Sequence, residues 1–222
     1  MPYRRTENVV RRLAARHAAI IAAAHAAASE GGMAAVQIAQ VAQRAGIAAG
    51  TVYRYFPGKT DLVAAVLAEI ATREVGAVRK AAAAAPGPLS ALAAAIMTFA
   101  TRALRERRLF FAAIAEPADA ELDAARLSFR RSLAEEFSGL IAAASAGGHL
   151  PAQDTALSGP ALLGLVVEAL IGPLAAAAAG RERDVVQALT LFALRALGVA
   201  DARARGLVVQ TALPERASRE PR

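Results

Sequence analysis

The chain has 222 residues, room for one large domain or two small ones. It carries 26 Lys+Arg against 19 Asp+Glu, a formal net charge of +7, and 56% of its residues are hydrophobic, which argues against disorder along the whole chain. The lack of cysteine excludes disulfide scaffolds, thiolate metal sites and a cysteine nucleophile, and His17, His25 and His149 are too dispersed for a His-rich metal site.

The 62 alanines tilt the chain to an all-α fold, because Ala is the best helix former. The near-absence of Lys, only Lys59 and Lys80, and the excess of Ala read first as usage in a GC-rich genome. The distribution of charge says more than its total. Residues 1–60 hold eight cations and two anions, while residues 81–200 hold ten cations and eleven anions. A basic head on a near-neutral body suits nucleic acid or an anionic surface.

Helical periodicity predicts a first helix from about Glu7 to Ser29, carried by Val9, Val10, Leu13, Ile20 and Ile21 and stopped by Gly31-Gly32. Short helices follow at about Gln37–Ala45 and Ala49–Tyr55, separated by Gly46. Pro57-Gly58 breaks the chain, and a long helix runs from Lys59 toward Ala84. Pro86-Gly87-Pro88 reads as the linker between head and body. Predicted body helices span Leu89–Glu106, Leu109–Ala115, Asp119–Ala144, about 154–179 with a kink at Pro173, and Arg183–Leu197. Residues 201–222, polar and dotted with Pro, read as a flexible tail.

The basic N-terminus is not followed by a signal-peptide apolar core and cleavage site, so the expected location is cytoplasmic. The stretch 156–180 is apolar enough to suggest a membrane span, but Glu168, Pro160 and Pro173 interrupt it. A charge at mid-bilayer is expensive, and a buried helix fits better; no membrane partner is expected.

Residues 37–59, QIAQVAQRAGIAAGTVYRYFPGK, match two short helices joined by a Gly-containing turn, the helix-turn-helix pattern. Val41, Ala42, Ala45, Val52 and Phe56 would face inward, and Gly46 suits the left-handed position of the turn. Gly50, Thr51, Tyr53, Arg54 and Tyr55 would face outward, with Lys59 opening the next helix within reach of a phosphate. Hydroxyls and guanidinium donate to phosphates, and Arg54 has the fork that reads guanine in the major groove.

The run V-A-x-x-A-G-I-x-x-G-T-V-Y-R-Y-F-P-G-K-x-x-L at residues 41–62 resembles the DNA-binding head of TetR/AcrR-family transcriptional regulators. The resemblance covers about residues 8–80 and implies an all-α chain with a three-helix head and a helical ligand-binding and dimerisation bundle. It implies a homodimer on a (pseudo)palindromic double-stranded DNA operator, usually a repressor, released when a small-molecule effector enters the body. DNA contacts would come from Gln37, Thr51, Tyr53, Arg54, Tyr55 and Lys59, with Gly50 allowing close backbone approach. The domains would be residues 1–58 for DNA, 59–85 as connecting helix and 86–200 for ligand and dimer.

The chain departs from the family where Gln37 replaces a capping Thr or Ser, Ala39 an Arg, and Ala48 and Ala49 a Ser and a polar residue. Ala at an N-cap costs about 0.5–2 kcal/mol relative to Ser or Thr. The arginines Arg4, Arg5, Arg11 and Arg12 read equally as phosphate or minor-groove contacts and as a solvated arm.

In the body, the helices near 154–179 and 183–197 have wide apolar faces with small residues, suited to pairing with a second copy. Candidate pocket residues are Phe99, Phe110, Phe111, Phe129, Leu133 and Glu168, each of which also reads as ordinary core. Glu168 would hold a cationic ligand or, in the preferred reading, pair with an arginine such as Arg102, Arg126 or Arg130. No P-loop, dinucleotide, zinc-protease or nucleophile-elbow motif is present, so neither an enzyme nor a cofactor or metal is expected. The competing class is a basic helical membrane-surface or scaffold protein, which leaves the motif at 41–62 without a purpose.

Overall fold

A computed structural model of the chain describes residues 7–116, 120–175 and 177–211. These residues form α1 (Glu7–Gly31), a 3₁₀ turn (Met33–Ala35), α2 (Ile38–Arg44), α3 (Ala49–Tyr53), α4 (Lys59–Ala83), α5 (Pro88–Arg105), α6 (Arg107–Ile114), α7 (Ala120–Ala146), α8 (Thr155–Leu170), α9 (Glu182–Ala196) and α10 (Asp201–Gln210). There is no strand among the described residues, and the fold is all-α. No helix among them is long and apolar enough to cross a membrane.

Two stretches differ from the periodicity. The helix expected to reach residue 179 ends at Leu170, and Pro173 follows it instead of kinking it. Proline disfavours helical backbone at the residue before it, here Gly172, and Ile171 and Gly172 both close onto Val167 O. Ala175 and Ala177 to Ala179 are not helical, because propensity is a weak prior where packing does not support it. The tail expected from residue 201 instead begins with α10, in which Ala204 and Val208 are buried one turn apart; residues 212–222 lie outside the described residues. Asp201 anchors its start by pairing with Arg195 and Arg205, and those hydrogen bonds hold its carboxyl below the usual range.

The chain divides into two compact units, Met1–Ile70 with Arg108–Phe129, and Ala71–Arg107 with Arg130–Arg222. In the first, α1 packs on α2 and α2 on α3. Ile20, Ala24, Ala28, Val36, Val41, Val52, Leu62 and Val66 have no exposed surface. The buried Arg126 donates through Nε and Nη2 to Ala112 O at 3.1 and 2.9 Å, and the Glu116 and Asp123 carboxylates lie 3.8 and 3.5 Å from its guanidinium and offset its charge. Glu116 accepts from Met33 N–H at 3.4 Å, so the residue that stops α6 also satisfies the backbone after α1.

The second unit is organised on α5, which touches α8, α9 and α10. Leu92, Ala93, Ala95, Ile96, Met97, Phe99 and Ala100 are fully buried along it. A helix with so wide an apolar face has to be covered over most of its circumference. Phe99 meets Phe137 edge to face at 6.2 Å. Pro88 starts the helix, and the Ser90 hydroxyl accepts from Gly87 N–H and donates to Gly87 O, closing its first turn.

Glu74 on α4 is fully buried and is the anchor of this unit. Its carboxylate takes Arg102 Nε and Nη2 at 2.5 and 2.7 Å and Arg73 Nε at 2.9 Å. The Glu74 hydrogen bonds hold the Arg102 guanidinium above its ordinary value. Gly159 on α8 lies where a Cβ would stand 2.8 Å from Ala134 O and collide with the Ser138 hydroxyl, which donates to Thr155 O.

Two stability outcomes follow. Glu74→Ala strands a half-buried guanidinium and should cost about 3–5 kcal/mol in urea unfolding, while Glu74→Met with Arg102→Met recovers most of it. Gly159→Ala should cost about 1–3 kcal/mol in the same measurement, because α7 and α8 must separate to admit the methyl.

Candidate nucleic-acid interface

The turn between α2 and α3 is built by the sequence Ala45-Gly46-Ile47. Gly46 takes φ of +66°, its N–H bonds Gln43 O at 3.2 Å, and Ile47 N–H bonds Ala42 O at 3.0 Å. These two bonds satisfy the last carbonyls of α2 and send the chain directly into α3. Val41, Ala42, Val52 and Phe56 are buried, as the spacing predicts, and Ala45 is half-buried. The buried Val52 sets the rotation of α3, which leaves Gly50, Tyr53 and Arg54 exposed.

The outward set is not uniform. Tyr53 is 54% exposed, and Gln37 and Lys59 are also at the surface. Thr51 and Tyr55 are half-buried. Tyr55 leans on α1: its hydroxyl is 3.5 Å from Leu13 O as donor, and its ring is 6.1 Å from that of His17. Neither Gln37 nor Ala48 caps its helix with a side chain; the Gln37 amide donates to Ala34 O at 2.8 Å instead.

The structure adds residues that the motif does not contain. Arg12 and Arg16 of α1, four residues apart and hence on one helical face, line a concavity of about 310 Å³ together with Asn8, Thr51, Arg54 and Tyr55. No carboxylate lines it among the described residues. Three guanidiniums beside a hydroxyl form a donor set suited to a phosphate oxygen. The i, i+4 spacing of Arg12 and Arg16 is legible in the sequence, but only packing of α1 beside α3 brings it to Arg54. Of the N-terminal arginines, Arg11 and Arg12 belong to α1, Arg11 donating to Asn8 Oδ1 at 2.6 Å, while Arg4 and Arg5 lie outside the described residues. Arg44 is committed elsewhere: it forms a two-pronged pair with Glu30 at 2.7 and 2.6 Å, which lowers the Glu30 carboxyl and raises the guanidinium.

The residues expected in a ligand pocket differ in exposure. Phe99, Phe110, Phe129 and Leu133 are buried in the cores, and Phe111 is exposed. Glu168 is an exposed residue near the end of α8 whose carboxylate accepts from Leu174 N–H at 3.3 Å. It thus closes the turn after the helix instead of holding an arginine, and Arg102 and Arg126 are already engaged by Glu74 and Ala112 O.

With this geometry in place, comparison with known proteins is informative. Residues 20–66 match the pattern of the bacterial regulatory proteins of the tetR family. The HTH-type transcriptional repressor KstR of Rhodococcus jostii (strain RHA1) is 51% identical over 53 residues, 24% of this chain and 25% of that protein. KstR of Mycobacterium tuberculosis (strain ATCC 25618 / H37Rv) is 47% identical over 58 residues, 26% of each chain. This chain thus matches about a quarter of the length of these curated relatives. Solved structures extend the likeness of fold. RolR with its ligand resorcinol superposes with a TM-score of 0.63 at 23% identity, over 93% of this chain and 98% of that one. FadR from Bacillus subtilis in complex with stearoyl-CoA gives 0.64 at 19%, over 88% and 99%. The matched residues contain α2, the Gly46 turn, α3 and the start of α4, while Arg12 and Arg16 of the concavity lie before them. Over residues 20–66, then, the chain is similar to the tetR family of bacterial regulatory proteins, and over most of its length it shares the fold of the superposed structures.

Proposed function

We propose that this protein is a sequence-specific DNA-binding transcriptional repressor, acting as a homodimer that a small-molecule effector releases from its operator. The observation that carries the DNA-binding reading is the cation-lined concavity in which Arg12, Arg16 and Thr51 flank Arg54, beside the exposed Tyr53. In this reading α3 enters the major groove, Arg54 and Tyr53 reach base edges or phosphates, and Arg12 and Arg16 clamp the backbone alongside. Thr51, Tyr55, Gln37 and Lys59 add phosphate donors, and Gly50 leaves room for the backbone to approach. The tetR-family match over residues 20–66 contains Thr51, Tyr53, Arg54 and Tyr55 of this surface.

A homodimer through α8 and α9 is supported by apolar side chains left in water there. Leu157 is 69% exposed and Phe192 59%. Phe192 shares a face of α9 with Val185, Leu189 and Ala196, at helical spacing. Burying such faces against a second copy makes an interface of facing helices and presents two α3 helices to one DNA. Two copies suit half-sites about 34–36 Å apart. The effector half of the proposal is supported by the ligands held in the structural neighbours, resorcinol in RolR and stearoyl-CoA in FadR.

The test is a fluorescence-anisotropy titration against the DNA upstream of the protein's own gene, at several salt concentrations. Tight, sequence-selective binding is expected, and Tyr53→Ala with Arg54→Ala should weaken it by about 1–3 kcal/mol per lost base contact. Weak binding that is equal on all sequences and unchanged in that variant would overturn the reading. Arg16→Ala has a different signature: uniform weakening on every sequence and a salt slope smaller by about one ion.

A further inference from the structure

The second unit contains an open groove of about 720 Å³, bounded by the end of α4, by α5 and by α10. Its size falls in the usual range for small-molecule sites, about 300–1,000 Å³. Four of its residues, Ser90, Ala94, Thr98 and Arg102, follow one another at intervals of four along one face of α5. The opposing wall from α4 is nearly all methyl groups, and Leu207 of α10 adds to the apolar surface. None of the core aromatics proposed from sequence lines it.

The polar groups in this groove are one-sided. Among the described residues, Lys80 and Arg102 are its charged residues, and no carboxylate lines it. Arg102 is held in place by Glu74, so its position at the groove is fixed by a buried ion pair. Lys80 is exposed and has no ion pair among the described residues. Three of the polar side chains differ in how they are used. The Ser90 hydroxyl is spent on Gly87 and that of Thr211 on Leu207 O. Thr98 is 7% exposed, lines the groove, and its hydroxyl has no hydrogen-bond partner among the described residues. The Thr98 hydroxyl is not among the buried unpaired groups, so it faces the open groove and can donate to an acceptor placed there.

We infer that this groove binds an amphiphile with an apolar chain and a single anionic head, the chain against the alanine wall and Leu207, the head at Lys80 with the Thr98 hydroxyl donating. The inference deepens the effector part of the function proposed above and rests on that reading. An uncharged ligand of the same shape, such as an alcohol, can still accept from Thr98 but leaves the Lys80 charge without a counter-charge, so charge, and not size, is the discriminating property.

The test uses the full chain, with decanoate and decan-1-ol as competitors of the fluorescent probe 1-anilinonaphthalene-8-sulfonate. Saturable displacement by decanoate, roughly tenfold stronger than by decan-1-ol, is expected. Lys80→Ala, an exposed substitution that should not disturb folding, is expected to erase most of that preference, and Thr98→Val to weaken decanoate alone. Ala94→Phe, checked for an unchanged melting temperature, should block both. Equal displacement by acid and alcohol, or decanoate binding untouched by Lys80→Ala and Ala94→Phe, overturns the assignment. Operator binding measured on the same preparation keeps the readings apart. A protein that holds DNA but no decanoate loses only the groove assignment. One that takes decanoate with these variant effects but no DNA supports the groove and overturns the regulator.

Discussion

A carboxylate with no exposure to water needs compensating charge, and Glu74 obtains it from two arginines, one on its own helix and one on α5. Removing such a group from solvent is costly unless nearly every lone pair finds a donor, and the paired fork of Arg102 supplies two of them. The pair locks the second half of α4 to the helix around which α8, α9 and α10 are arranged. The apolar burial around α5 supplies affinity between helices but little registry, since alanine faces slide past one another at small cost. A single directional ion pair gives the registry that many small methyls cannot. The groove at the end of α4 inherits its shape from that constraint, because Arg102 lies both in the pair and on its wall.

The head solves a different problem. Two helices of seven and five residues are too short to be stable alone, so their geometry has to come from their ends and their buried contacts. The left-handed Gly46 closes α2, and the fully buried Val52 fixes the rotation of α3. Neither helix is capped by a side chain at its start, which shifts the burden to packing against α1. The Arg44–Glu30 pair and the Tyr55 contact with α1 carry part of it. The same contact places Arg12 and Arg16 next to Arg54, so the element that stabilises α3 also extends its basic surface.

Most of this head was legible in the residues themselves. Short helices, a Gly at the required offset and alternating buried and exposed positions are local signals, and the tetR-family match rests on them. The body was less legible because alanine is a helix former in almost any setting and carries little information about partners. Glu168 illustrates the difficulty: a lone carboxylate in an apolar run reads as a buried charge, yet its position near the end of α8 puts it in water, bonded to Leu174 N–H. Glu74 is the reverse case, one acid among several on a helix with ordinary charge spacing, buried only because α5 arrives with Arg102.

The sequence by itself determined the helices, their breaks at Gly and Pro, the turn at Gly46 and the inward set of α2 and α3, since each depends on backbone preferences and periodicities within a few residues. Only the tertiary structure decided which charges are paired and which are open. It joined Arg12 and Arg16 to Arg54, gave Arg102 to Glu74, ended α8 at Leu170 and turned residues 201–210 into a helix that walls a groove. These outcomes rest on contacts between residues far apart in the chain, where the free energy of burial and pairing outweighs local propensity.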